Sequence, residues 1–486
     1  MRYSIIYVTI KLTNKYNQQI KNEITKHNFS KELLKKVQQN KNETTNKYKI
    51  ESFFISKLLI KKIKMSRNVQ CPLHGFITLT PLMCKIVDTP EFKRLHNLRQ
   101  TGAVYCVYPS ANHTRFEHSI GVAHLAKILI QSLQANQSIL NISDRMVELV
   151  QIAGLIHDIG HGPFSHLYDD YIIDPRMPKH EKRGIYMFQK MVDDYNLELT
   201  PNEVETIINM IEPPEHLKNN YLYQIIANKV CSIDVDKIDY IQRDSFHIGF
   251  GTSEKYERLL TKCRVVSYAF PDKSQTNNSN TSEVNLMLAW PEKLQNEILS
   301  LFQTRYRLHK EVYTHHTVKS CEYVISDILK EMLGQVKTSF NLLNDSMINW
   351  PVSNKVIRLK NQFDKRDIPK MIGEKVISYN EKNNQTLEFE KKLDGVIVSL
   401  NEAGISNRGW SRLKIGFISG QGVNPLTKVI YINHHSKQPY TIPETSNYNS
   451  FMVPNNCQEF VYRIYVNTSY KIEYAKSLWD KIVKDI

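Results

Sequence analysis

Leu155-Ile156-His157-Asp158-Ile159-Gly160-His161-Gly162-Pro163-Phe164-Ser165-His166 sets three histidines and an aspartate around two glycines, directly after an apolar run. Upstream, Met146 to Ile156 has apolar residues at helical spacing, and Gly160 and Gly162 mark where that helix stops. A His-Asp dipeptide alone is common by chance, and a lone histidine on an apolar face is usually a satisfied core residue. Three imidazoles and a carboxylate at a helix end, in so short a span, point instead to a site.

Two further stretches can supply partners. Arg115-Phe116-Glu117-His118-Ser119 opens a segment, His118 to Leu133, whose Ile120, Val122, Leu125, Leu129 and Ile130 follow a helical period. In Ile233-Asp234-Val235-Asp236-Lys237-Ile238-Asp239-Tyr240-Ile241-Gln242-Arg243-Asp244, a turn of about 100° per residue puts Asp236, Tyr240 and Asp244 on one face with Lys237 beside them. Asp239 and Arg243 are read as the charged solvent side of that helix. Two imidazoles (His118, His157) and two carboxylates (Asp158, Asp236) form a mixed N/O donor set suited to zinc, iron, manganese or magnesium. Such an ion lowers the pKa of water toward about 7 and polarises a phosphoryl oxygen. The nearby cations Arg115, Lys237 and Arg305, with His161 and His166 if protonated, suit a polyphosphate. The reading from residues alone is metal-assisted hydrolysis of a phosphorylated substrate.

The rest of the chain bounds that reading. A length of 486 residues implies two or three units. The net charge of +15 is uneven, because residues 1–66 hold 15 basic against 4 acidic side chains. That segment is expected to be a weakly ordered Lys/Asn-rich extension, with short helices at Lys31–Gln39 and Phe53–Lys64 and a possible role in nucleic-acid binding. Seven cysteines with no Cys-x-x-Cys pair exclude a zinc finger or disulfide framework. No apolar run is long enough for a membrane span, so an intracellular protein of nucleus or cytoplasm is expected. Residues 67–335 read as helical, including long runs at Ile225–Gly249 and Leu294–Leu333, with a polar loop at Asp272–Glu283. Residues 336–486 read as an α+β region. Its expected strands are Gly395–Val398, Lys414–Ile418, Lys428–Ile432 and Val461–Val466, and its last helix is Tyr470–Val483. The fold class expected is mainly α, an all-helical core with a smaller α+β C-terminal region.

At these motifs, together with Asp88-Thr89-Pro90-Glu91-Phe92 and Arg305 to His315, the chain from about Arg67 resembles the SAM- and HD-domain deoxynucleoside triphosphate triphosphohydrolase family. Residues 1–66 show no SAM domain. The resemblance implies an HD-type phosphohydrolase that splits a dNTP into deoxynucleoside and intact triphosphate. It implies that His118, His157, Asp158 and Asp236 hold the metal, with zinc the first choice. His180, oriented by Asp169, would protonate the departing 5′ oxygen, with His161 and His166 beside the α-phosphate. Arg115, Lys237, Tyr240 and Arg305 would hold phosphates, and Gln100 and Asp244 the sugar 3′-hydroxyl. Tyr313 would stack under the deoxyribose, with His309 beside the base. Thr101 and Thr314 stand where the family has Leu and Gln. The family assembles as homotetramers activated by guanine nucleotide. Asp88 matches a guanine-reading aspartate, but Lys93 and His96 replace Gln and Arg, and Pro291 replaces an Arg next to Lys293. Activation by GTP is therefore expected to be weakened. Two alternatives share parts of this pattern: another HD nucleotidase or phosphodiesterase, and a non-catalytic nucleic-acid-binding HD protein.

Overall fold

The computed structural model describes residues 66–250, 256–269, 285–335, 339–378, 385–417, 424–443, 457–467 and 471–483. Residues Arg67–Ile486 form one compact unit. The short helices expected at 31–39 and 53–64, the loop at 272–283 and the tail proper lie outside the described residues.

The unit opens with a hairpin, β1 (Arg67–Cys71) and β2 (Gly75–Leu79), paired antiparallel. Two short helices follow, α1 (Pro81–Val87) and α2 (Pro90–Lys93), each begun by a threonine whose hydroxyl accepts from the first turn and by a proline just inside. Helix α3 (Arg115–Asn136) and α4 (Asp144–Ile156) pack against each other. Every residue of α4 from Leu149 to Ile156 is buried, and all but Gln151, which donates to the Val147 carbonyl, are apolar. Next come α5 (His180–Asp194), α6 (Pro201–Ile211), α7 (Val235–Ile248) and α8 (Glu257–Thr261). Beyond β3 (Arg264–Tyr268) and β4 (Asn285–Pro291) lie α9 (Gln295–Arg307), α10 (His316–Leu333) and α11 (Asn354–Asp364). The chain ends with β5 (Lys370–Ser378), α12 (Gln385–Glu402), β6 (Asn407–Gly416), β7 (Ile430–Ile432), β8 (Pro439–Thr441), β9 (Gln458–Val466) and α13 (Ile472–Val483).

The helical core and the sheet-bearing C-terminal region match the expected class, with corrections. The first part is not all-helical: β1–β2 and β3–β4 lie inside it. The run Gly395–Val398 is helix, not strand. Phe389, Leu393, Val396 and Leu400 repeat at helical spacing and all four are buried, so packing of that stripe overrides the local β-branched composition. The run from Ile225 becomes helix only at Val235, where the Asp234 carboxylate accepts from the Lys237 amide at 2.9 Å and caps α7. The run from Leu294 breaks after a π-turn at Leu308–Tyr313, and α10 restarts with His315 Nδ1 accepting from the Thr317 amide at 3.2 Å. Nor does residue 335 separate two cores. Strands β7 and β8 extend the β3–β4 sheet, and Ile368, Phe417, Leu426 and Tyr431 belong to the main apolar core. A second, smaller core gathers β5, β6 and β9 with α12 and α13 around Leu393, Tyr462, Ile464 and Trp479.

Candidate metal centre

His118 lies in the first turn of α3, His157 and Asp158 at the end of α4, and Asp236 in the first turn of α7. Their donor atoms converge. His118 Nε2 is 3.2 Å from His157 Nε2 and 3.0 Å from an Asp236 oxygen, and His157 Nε2 is 3.4 Å from that oxygen. Both imidazole nitrogens lie 3.5 Å from Asp158 Oδ2.

The hydrogen bonds on the far sides of the rings fix what these atoms can be. His118 Nδ1 donates to Asp239 Oδ2 at 2.8 Å, and His157 Nδ1 donates to the Gly154 carbonyl at 2.8 Å. In the neutral rings both Nε2 atoms are then lone pairs that face each other, flanked by two carboxylates. Such a set is repulsive without a cation at its centre. Without such an ion a proton on His118 takes its place: burial disfavours that charge, yet Asp236 and Asp239 outweigh it and raise the pKa to about 10, so a bound cation would displace this proton. The donors therefore fit a divalent ion.

Asp239 and Arg243 are corrections to the solvent-face reading, since neither is exposed at all. The Arg243 fork donates to both Asp239 oxygens at 2.8 and 2.9 Å, while Asp239 holds His118. Glycine makes this close approach possible: a Cβ on Gly121 would lie 2.1 Å from Asp239 Oδ1. Asp239 is the functional residue the sequence reading missed. Its one legible signal was the i,i+4 spacing to Arg243, which solvated helix pairs share.

A second group stands beside the first. Asp169 comes from a π-turn, Tyr168–Ile172, and accepts from His180 Nδ1 at 2.6 Å and from Arg183. Burial alone would raise the Asp169 pKa, but these donors hold it down at about 2. His180 opens α5 and stacks on His161 with ring centres 3.8 Å apart. Gly160 allows that helix start to approach, because a Cβ there would lie 2.1 Å from the His180 carbonyl. His161, His166 and His180 offer nitrogens to a common space, with His166 exposed at its rim. Burial, with Arg115 adding to it, favours the neutral ring of His161, so the protonation on which its role as a cation depended is disfavoured.

The remaining expected residues divide. Arg115 is buried, pairs with Asp158 and donates from Nε to Ser165 Oγ at 2.8 Å. Phe164 and Ser165, which follow the motif glycines, both adopt left-handed backbone. The Phe164 amide is held by Asp345 at 2.7 Å and the Ser165 hydroxyl by the Arg99 carbonyl at 2.6 Å. Gln100 Oε1 and Thr101 Oγ1 are buried and lack a hydrogen-bond partner among the described residues. Asp244 is bonded on one oxygen to His113 Nε2 at 2.6 Å and on the other to the Tyr313 hydroxyl at 2.5 Å. The His309 and Tyr313 rings meet edge to face at 5.0 Å, both on the second π-turn. Arg305 Nε donates to the Tyr240 hydroxyl at 3.1 Å, and its Nη1 to the Gly416 and Phe417 carbonyls. Lys237 is turned to Asp234 at 2.8 Å. At the chain's other candidate region Asp88 is held by Arg67 at 2.7 Å, Lys93 stands 3.8 Å from Asp88, and His96 stacks on Phe116 at 3.5 Å. Lys293 sits in a short turn after β4.

Residues 115–244, which span all four candidate metal ligands, match the HD domain family. The chain is 29% identical to the deoxynucleoside triphosphate triphosphohydrolase SAMHD1 homolog of Dictyostelium discoideum, over 92% of this chain and 85% of that protein. The chain carries an HD domain and is similar to proteins named SAMHD1. It is also 34% identical to human deoxynucleoside triphosphate triphosphohydrolase SAMHD1, over 56% of this chain and 46% of that one. The chain thus matches less than half the length of the human relative. A putative HD domain-containing protein of Acanthamoeba polyphaga mimivirus is 28% identical over 86% of this chain and 96% of its own. No described helix is long and apolar enough to cross a membrane.

Proposed function

We propose that this protein is a metal-dependent hydrolase that converts deoxynucleoside triphosphates into deoxynucleoside and inorganic triphosphate, and so controls dNTP levels. The observation that carries the reading is the convergence of His118 Nε2 and His157 Nε2, 3.2 Å apart, with oxygens of Asp158 and Asp236. The names of the relatives supply the substrate class. A divalent ion in this set supplies Lewis acidity at a phosphoryl oxygen; zinc is our first assignment, before iron, manganese and magnesium. Arg115 places a fixed positive charge at the same wall and binds phosphate. His180 delivers a proton to the departing 5′ oxygen from Nε2, because Asp169 occupies its Nδ1. Gln100 takes the sugar 3′-hydroxyl through its otherwise unpartnered oxygen, and Asp244 fixes Tyr313 beneath the sugar. Tyr240 and Arg305 hold the outer phosphates, and Lys237 joins them by leaving Asp234.

The test is product identity. Incubation with dGTP is expected to release deoxyguanosine and inorganic triphosphate in equal amounts. Pyrophosphate or orthophosphate as first product would favour another HD phosphohydrolase, and no turnover in a metal-loaded protein would favour a binding role. We also propose a homotetramer built through residues 336–486, only weakly promoted by GTP. Asp88 is engaged by Arg67, and Lys93 and His96 lack the planar donors that read a guanine carbonyl. Strong stimulation at low GTP, with tetramers appearing in parallel, would overturn that. Residues 1–66 are assigned to nuclear placement or polyanion binding, and a truncated chain with unaltered cellular distribution and unaltered polyanion binding would contradict this.

A further inference from the structure

The buried carboxylate behind His118 has a partner that comes from outside the HD segment. His74 is the residue before the Gly75 turn glycine of the β1–β2 hairpin, and its Nε2 lies 2.7 Å from Asp239 Oδ1. Its side chain is only 9% exposed, and its ring packs 5.4 Å from that of His124 on α3. The same hairpin places Cys71 Sγ 3.7 and 3.8 Å from the two terminal nitrogens of Arg243. Asp239 therefore receives four donors. Oδ2 takes His118 Nδ1 and Arg243 Nε, while Oδ1 takes His74 Nε2 and Arg243 Nη2. Asp239, Arg243 and His118 are buried and His74 is partly buried, so a donor lost there is not readily replaced by solvent.

We propose that His74 is a positioning residue of the metal centre. Through Asp239 it fixes the tautomer and direction of the His118 ring, so that the hairpin sets how tightly the ion is held. Partners that orient a metal-binding imidazole change affinity although they do not touch the ion. Arg243 alone fixes the plane of the carboxylate, but it is carried on the same helix and shifts with it. His74 ties that carboxylate to a different element. Without it, Asp239 Oδ1 is left short of a donor and the carboxylate can turn away from His118 Nδ1.

The inference rests on the metal-centre reading, and its test needs no nucleotide. The full chain is stripped, and Zn²⁺ binding is measured by competition with a chromophoric chelator. His74→Ala is expected to raise the Zn²⁺ Kd by about tenfold, the lower end of the range for such partners. His74→Phe keeps a ring against His124 but no donor, and is expected to match His74→Ala. His74→Gln, whose side-chain amide keeps a donor, should recover most of the affinity. In an Asp239→Asn background, His74→Ala should add nothing further. Phe76→Ser, at an exposed site on the same hairpin, should leave the Kd unchanged. Wild-type affinity in both His74→Ala and His74→Phe would overturn the proposal. So would an equal loss in His74→Gln with an unchanged metal-free Tm. If the unaltered chain itself takes up no Zn²⁺, Mn²⁺ or Fe²⁺, the metal-centre reading fails, which is a different result.

Discussion

The candidate metal centre and the edge formed by Asp88, Lys93 and His96 both gather charged and imidazole side chains, in opposite settings. Around His118, both rings and Asp158 are tied to a further partner, and the side chains of His118 and Asp239 have no exposed surface. At the edge, Asp88 and Arg67 are each about half exposed and meet each other across water-facing surface. Buried polar groups must be paired, so a buried site has one workable arrangement; an exposed pair is worth little and can exchange partners. Substitution is therefore costly at the first region and tolerated at the second, which is where this chain departs from its resemblance.

The contrast can be broken most directly at the proposed metal ligands. Asp236→Ala and His157→Ala are each expected to abolish turnover through loss of metal. Elemental analysis with a product assay checks this, and full metal content at wild-type rate in either variant would show that the ion sits elsewhere. His180→Ala should keep its metal and bind dNTP while kcat falls by about 10²–10⁴. An unchanged kcat would move the acid to another group.

Packing around Asp239 gives a stability test. Gly121→Ala forces a methyl into the Asp239–Arg243 pair, and a loss of about 1–3 kcal/mol is expected from overpacking. Urea midpoints of the metal-free chain measure it, and a neutral result would mean that the pair can shift aside. A smaller effect comes from pH. Burial, with His74 adding to it, lowers the His124 pKa to about 4, so the fold favours its neutral ring. This contribution is fully present above pH 6.5 and is lost as pH falls toward 4. The metal-free midpoint should decline over that window, less so in His124→Phe; parallel profiles for the two proteins would refute the assignment. The smallest effect is expected at the exposed edge, where Asp88→Ala should alter stability by less than about 1 kcal/mol. A larger change would mean that the two regions differ less than their exposure implies.

Legibility in the sequence followed the same division. The density of His157, Asp158, His161 and His166 at a helix end was visible because ligand chemistry and helix periodicity are both local. The helices carrying His118 and Asp236 were visible for the same reason, although α7 begins ten residues later than Ile225. Hidden were the groups whose roles depend on distant chain. Asp239 and Arg243 look like a solvated i,i+4 pair, and only the depth of α7 against α3 makes them buried. His74 lies far from His118 in sequence, and nothing in a short hairpin announces its target. The helix over Gly395–Val398 was misread because four apolar residues resemble a strand until the spacing from Phe389 to Leu400 is counted.

By itself the sequence determined the helical class, the donor types and the three segments that supply them, since these depend on side-chain chemistry and on spacing within a single element. Tertiary structure decided which nitrogens face each other, which tautomers they hold, and which charged residues lie in the interior. It also decided that β7 and β8 complete a sheet begun by β3 and β4 rather than standing in a separate domain. The physical reason is that hydrogen-bond direction and burial depend on which elements meet, and that is fixed by the packing of surfaces far apart along the chain.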